Sequence, residues 1–114
     1  MHIDDYSFGS IWIDGKEYTA DVIVFPEKVS SDWWRIEGHL LQMQDLSEIL
    51  EYHPDILVIG KGASGVMQVP SKVINELKDK NIEVIAKNTD EACHAFNKLI
   101  KDNKKVVGAF HLTC

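Results

Sequence analysis

At 114 residues, 45% hydrophobic and 26% charged, the chain is sized for one domain, residues 1–114, that needs neither disulfides nor a metal to fold. Its net charge of −6 excludes general electrostatic attraction to nucleic acid or anionic membrane. Two cysteines, Cys93 and Cys114, are too few for a secreted disulfide framework and fit free thiols in a reducing compartment.

The opening "MHIDDYSF" has no basic segment followed by an apolar one, and no apolar run approaches the roughly 18 residues of a bilayer span. The expected setting is the cytoplasm. Ser10 to Ile13 and Glu17 to Val24 are runs of strand formers joined by Asp14-Gly15, a strong hairpin signal. Trp33 to Gly38 is a further, weaker strand candidate. In "DLSEILEYH", Leu46, Ile49, Leu50 and His53 fall on one face of a helix, with Asp45 and Glu48 spaced as a capping box. Ile56 to Ile59 is a continuous apolar strand of the kind buried on both faces. A helix from about Pro70 to Lys80 points Val73, Ile74 and Leu77 inward. Ile82 to Ala86 is the next strand, Thr89 caps a longer helix carrying Ala92, Phe96, Leu99 and Ile100, and Lys105 to Leu112 is the last strand. Strand–helix–strand–helix–strand connections imply a parallel sheet core. The class is α/β with a mixed sheet, antiparallel at its N-terminal hairpin.

Gly60, Gly62 and Gly65 follow the first of these parallel strands with G-x-G-x-x-G spacing. In a dinucleotide turn those glycines open the helix, and an acidic residue ends the second strand. Here Val66 to Val69 separate Gly65 from Pro70, and the second strand ends in Ala86-Lys87-Asn88. The glycines are therefore read as positions of positive φ in a tight loop, and no cofactor is expected.

Several segments carry a family likeness. "VIGKG", "VPSKV", "NTDEACHAFNKLI" and the terminal "FHLTC", together with the early "FGSIWIDGKEY" and "DWWRIEGH", resemble the Mth938-like domain family, formerly of unknown function. The likeness is nearest its small, adipogenesis-associated single-domain branch and covers almost the whole chain. It implies a compact three-layer α/β domain with a mixed central sheet, and no established reaction. It also implies a protein-interaction or regulatory role, since better-described members include a mitochondrial assembly factor for respiratory complex I. His39 beside Gly38 resembles the family's own Gly and His region.

If the last three strands are parallel, their carboxyl edge gathers Gly60-Lys61-Gly62, Lys87-Asn88-Thr89 and the segment from His111 to Cys114. Lys61, Lys87 and free loop N–H groups at that edge favour an anion, whereas the bland reading makes them turn and capping residues. A Cys-His pair can activate a thiolate, but His111 and Cys114 stand three positions apart on an extended strand and face opposite sides. H-x-x-C offers two ligands where structural zinc takes four, so no metal is expected. Trp33 and Trp34 face opposite sides of a strand, so one can anchor the core and the other a partner surface. The expectation is a non-enzymatic module binding a protein partner, as a monomer or weak homodimer. The alternative is a small-ligand or anion-binding domain, or a small enzyme, centred on the Gly60-Lys61-Gly62 loop.

Overall fold

The computed structural model describes residues 1–114. Strands β1 (Ile3–Ser7), β2 (Ser10–Ile13) and β3 (Lys16–Tyr18) form an antiparallel sheet in chain order. Asp14 and Gly15 make the β2–β3 turn with φ of 48° and 81°, the two positive angles a type I′ hairpin requires.

The run expected to continue from Glu17 to Val24 instead divides between two sheets. β3 stops at Tyr18, and β4 (Val22–Val24) joins a second sheet. The crossing falls at Thr19 to Asp21, where the chain leaves the small sheet to pair β4 with a strand near its far end. β4, β5 (Val29–Ser30), β6 (Ile56–Lys61), β7 (Glu83–Lys87) and β8 (Val106–His111) make that sheet in the order β5-β4-β8-β6-β7. β6 is parallel to β7 and β8, and β4 is antiparallel to β8, so the sheet is mixed.

Helices α1 (Ser47–Tyr52), α2 (Ser71–Asp79) and α3 (Thr89–Lys101) connect it. Alternation along β6 sends Leu57 and Ile59 to one face and Ile56 and Val58 to the other. On the first face they meet Trp33, Leu46, Ile49 and Leu77, which belong to α1, α2 and the segment before them. On the second they meet Phe96 and Ala92 of α3 and Ile3, Ile11 and Ile13 of the small sheet. Three layers result, with the large sheet in the middle.

Three local expectations change. Trp33 to Gly38 is not a strand, because Trp33 N–H donates to the Asp21 carbonyl and Arg35 folds back onto the Gly38 carbonyl. The first helix starts later than Asp45, which lies in a 3-10 turn (Met43–Leu46) with its carboxylate accepting the N–H groups of Gln42 and Ile36. His53 is not on the inward face. It ends α1 in the left-handed conformation, φ 61°, and is exposed.

Candidate functional site at the carboxyl edge of the sheet

β6, β7 and β8 end side by side, with Gly60 paired to Lys87 and Phe110, and Lys61 to His111. The residues singled out from sequence therefore share one edge. Thr89 is its centre. Sequence made it a helix cap, but Asn88 occupies that position and Thr89 is the first helical residue. Its hydroxyl accepts the Gly62 N–H at 2.8 Å and donates to the His111 carbonyl at 2.6 Å. Through one buried oxygen the ends of β6 and β8 are fixed to α3.

Close approach explains two of the glycines. A side chain at Gly60 would meet Thr89 Oγ1 at 2.8 Å and the Phe110 ring at 2.9 Å. At Gly62, φ is 103° and a Cβ would collide with the Cys114 backbone. The loop from Gly62 to Val69 ends before α2, which has Pro70 at its N-cap. Six of the loop N–H groups, those of Gly62, Ala63 and Gly65 to Gln68, are already used. Ala63 donates to the Thr113 carbonyl at 2.7 Å and Val66 to the Cys114 carbonyl at 3.0 Å. Asn88 lies against Gly65, Lys61 is half-buried, Lys87 is exposed, and neither lysine is ion-paired.

His111 brings in two residues that sequence reasoning missed. Its Nδ1 lies 2.8 Å from Asp21 Oδ2, and Arg35 Nη2 lies 2.7 Å from the same oxygen. Asp21 Oδ1 accepts the Leu112 N–H at 2.8 Å. Arg35 Nε and Nη2 both donate to the Gly38 carbonyl, and the guanidinium lies over the Trp33 ring, 4.7 Å from its centroid. The side chains of Arg35 and His111 are only 5% and 6% exposed. Burial pushes the Asp21 carboxyl up, but hydrogen bonds from His111, Leu112 and Arg35 outweigh it and hold the group below its ordinary value.

Arg35 Nη2 thus has three neighbours: the Gly38 carbonyl, Asp21 Oδ2 and His111 Nδ1, the last at 3.0 Å. His111 Nε2 and Arg35 Nη1 are buried with no hydrogen-bond partner. His39, exposed, stands edge-on to His111 with ring centroids 5.7 Å apart. The available sequence signals were a carboxylate directly ahead of the apolar run Val22 to Phe25 and an arginine directly behind two tryptophans.

Trp33 and Trp34 separate, although the segment that carries them is not a strand. Trp33 is buried and its indole N–H donates to the Asp45 carbonyl, whereas Trp34 is 74% exposed. Cys114 is exposed, and the His111 ring is engaged with Asp21 and Arg35, so no Cys-His pair forms. The Cys93 thiol is buried and pushed up to about 12, chiefly by burial and also by Asp90 and Asp5, which keeps it protonated and unreactive.

A family model described as "Protein of unknown function (DUF498/DUF598)" matches residues 3–111. NADH dehydrogenase (ubiquinone) 1 alpha subcomplex assembly factor 3 of Homo sapiens is 28% identical over 116 aligned positions, covering 96% of this chain and 59% of that protein. Its Rattus norvegicus counterpart is 27% identical with nearly the same coverage. The chain thus spans about three-fifths of the length of these curated relatives. Among solved structures, a conserved hypothetical protein of Pyrococcus horikoshii OT3 superposes with a TM-score of 0.81 at 28% identity, over 100% of both chains. A Bordetella pertussis protein described as a Mth938-like domain superposes with a TM-score of 0.70 at 17% identity, over 97% of this chain and 85% of its own, and shares the fold.

Proposed function

This chain belongs to the DUF498/DUF598 family of Mth938-like domains, and from that premise we propose that it is a non-enzymatic protein-interaction module acting in assembly or regulation. The carrying observation is Trp34, 74% exposed on a loop that its neighbours hold in place. Trp33 and Arg35 on either side are buried, so the loop is anchored while the indole projects. Rigid, exposed aromatic side chains give large contact area at small entropic cost, which suits an interface anchor. Ile36 and Phe8 are further exposed apolar side chains, at 50% and 66%. Phe8 precedes Gly9, whose N–H donates to the Leu112 carbonyl, and Trp33 is bonded to Asp21, which takes the Leu112 N–H. Both aromatics therefore flank the same stretch of chain. The human and rat relatives are assembly factors by name, which supports a protein as the partner. The free thiols fit a cytoplasmic setting.

Trp34→Ser is the test. It should abolish recovery of the partner while leaving the unfolding free energy from urea denaturation within about 0.5 kcal/mol of the parent, as expected for a surface change. Equal recovery by the variant would refute the assignment of this face.

A second reading, a small-ligand site at the carboxyl edge, is favoured by one observation: His111 Nε2 and Arg35 Nη1 are buried without partners. In this reading Lys61, Lys87, Asn88 and Thr89 form the polar surround.

A further inference from the structure

β7 stands at the end of the order β5-β4-β8-β6-β7, so its outward edge has no strand beside it. Its pairing with β6 fixes which backbone groups that edge presents. Glu83 N–H donates to the Asp55 carbonyl at 2.9 Å, on the β6 side. Backbone groups alternate sides along a strand, so those of Ile85 and Lys87 also turn toward β6. Those of Val84 and Ala86 turn outward, and no loop or turn hydrogen bond involves either residue. An open hollow of about 680 Å³ borders Glu83 and Val84 beside Ile74 and Lys78 of α2, which leaves this end of the strand uncovered.

Sheet edges are usually blunted by proline, by bulges or by being very short. β5, the opposite edge, has two residues, whereas β7 has five in regular register, with neither proline nor bulge. Its charges stand only at its ends. Glu83 and Lys87 are both exposed, and neither is ion-paired.

The strand Glu-Val-Ile-Ala-Lys is complementary to its own reverse. Antiparallel pairing of two copies about Ile85 sets Glu83 of each against Lys87 of the other, Val84 against Ala86, and Ile85 against its counterpart. The outward groups of Val84 and Ala86 then exchange both backbone hydrogen bonds, once on each side of the two-fold axis. Glu83 and Lys87 meet at non-hydrogen-bonded positions, where side chains across an antiparallel ladder come closest. Val84 and Ala86 pack on the α2 side of the sheet and Ile85 on the α3 side. The two isoleucines therefore lie between two ion pairs on the α3 side.

Other registers do less well. Centring on Val84 sets Ala86 against Ile82, whose N–H is already given to the Leu77 carbonyl. Centring on Ala86 sets Val84 against Asn88, whose carbonyl already accepts the Ala92 N–H. A parallel, in-register pairing would set glutamate against glutamate and lysine against lysine, which repels.

We propose that the chain self-associates through β7 as a symmetric dimer, its two large sheets joined antiparallel about Ile85. The occupant of the edge is a second copy because the charge pattern that complements this edge is its own sequence reversed. The inference goes beyond the Trp34 reading and uses another part of the molecule. Trp33 is bonded to Asp21, beside β4, three places along the sheet from β7. With one short strand paired on each side, the interface is small and the dimer weak.

The test is sedimentation equilibrium of the full chain from about 10 μM to about 1 mM, a range suited to weak association. The mass should climb from 12.9 kDa toward twice that value. Over the same range the Val84 and Ala86 amides should become protected from hydrogen exchange, while Ile85 is protected throughout. Glu83→Lys and Lys87→Glu change exposed side chains and keep the fold. Each alone replaces two attractive pairs by two repulsive ones and should weaken association about tenfold or more. Mixed in equal amounts, the two variants should associate as well as the parent, because each lysine of one then faces a glutamate of the other. Trp34→Ser should associate like the parent.

A parent chain that stays at 12.9 kDa to the highest concentration would overturn the proposal and leave the edge to a strand of another protein. Association that neither single variant weakens, or that Trp34→Ser abolishes, would put the contact elsewhere and overturn it too. Weakening that the mixture does not relieve would refute the antiparallel register.

Discussion

Asp21 shows how much one side chain can organise. Its two oxygens take hydrogens from Leu112, His111 and Arg35, and its carbonyl takes the Trp33 N–H. The lowered carboxyl has a definite consequence for acid stability. A carboxylate held below its unfolded value contributes stability above the ordinary range near 3.9, and that contribution is lost as pH falls through the depressed folded value. The urea midpoint of the parent should therefore drop across that acid window. Asp21→Asn should start lower at pH 7 and decline less steeply there, and parallel curves would refute the assignment. None of this was legible beforehand. Asp21 and His111 are separated by 90 positions in the chain and Arg35 and His111 by 76, so no spacing rule connects them. Gly60, Lys61, Gly62, Thr89 and His111 could be placed at one edge because parallel strands align their ends. Their roles could not, since the role of Thr89 depends on which oxygen lies within hydrogen-bond reach.

Helices and strands with continuous patterns were legible, and junctions were not. α3 is a clear case: Ala92 and Phe96, spaced four apart, are both fully buried. Phe96 meets Phe110 of β8 edge-on, with centroids 5.9 Å apart and planes at 80°. That pair ties α3 to the middle of the sheet. Phe96→Ala should cost about 3–5 kcal/mol, read as a fall in the denaturant midpoint, because the close-packed surroundings cannot collapse into the space. A loss under about 1 kcal/mol would contradict the packing described. The segment from Glu17 to Val24 misled for a physical reason. Strand propensity reports how residues suit a pleated surface, not which sheet they join, and here the chain changes sheets between Tyr18 and Val22. Trp33 to Gly38 has strand-like composition, but Arg35 gains more by turning its guanidinium onto Trp33, Asp21 and the Gly38 carbonyl than by forming a ladder.

At the scale of the whole molecule, sheet order departs most from chain order. β8 lies between β4 and β6, so the last strand to be written is the middle of the large sheet. From sequence, the parallel unit of β6, β7 and β8 could be foreseen, but not that β4 would cover its open side. Until residues 106–111 arrive, β4 and β6 have no shared partner, and each half holds an unpaired strand edge. Folding cannot proceed as a zipper running from one end of the chain to the other. The closing step joins pieces far apart in sequence, for which loop-closure entropy must be met first. Refolding should accordingly be slower than in helical bundles of this length, in the range of milliseconds to seconds, when followed by tryptophan fluorescence. A microsecond phase that accounts for the full amplitude would exclude that order of events. During synthesis the consequence is one of timing. While the ribosome still holds residues 106–111, the apolar edges of β4 and β6 stand open together, and this interval is when the nascent chain most needs a chaperone.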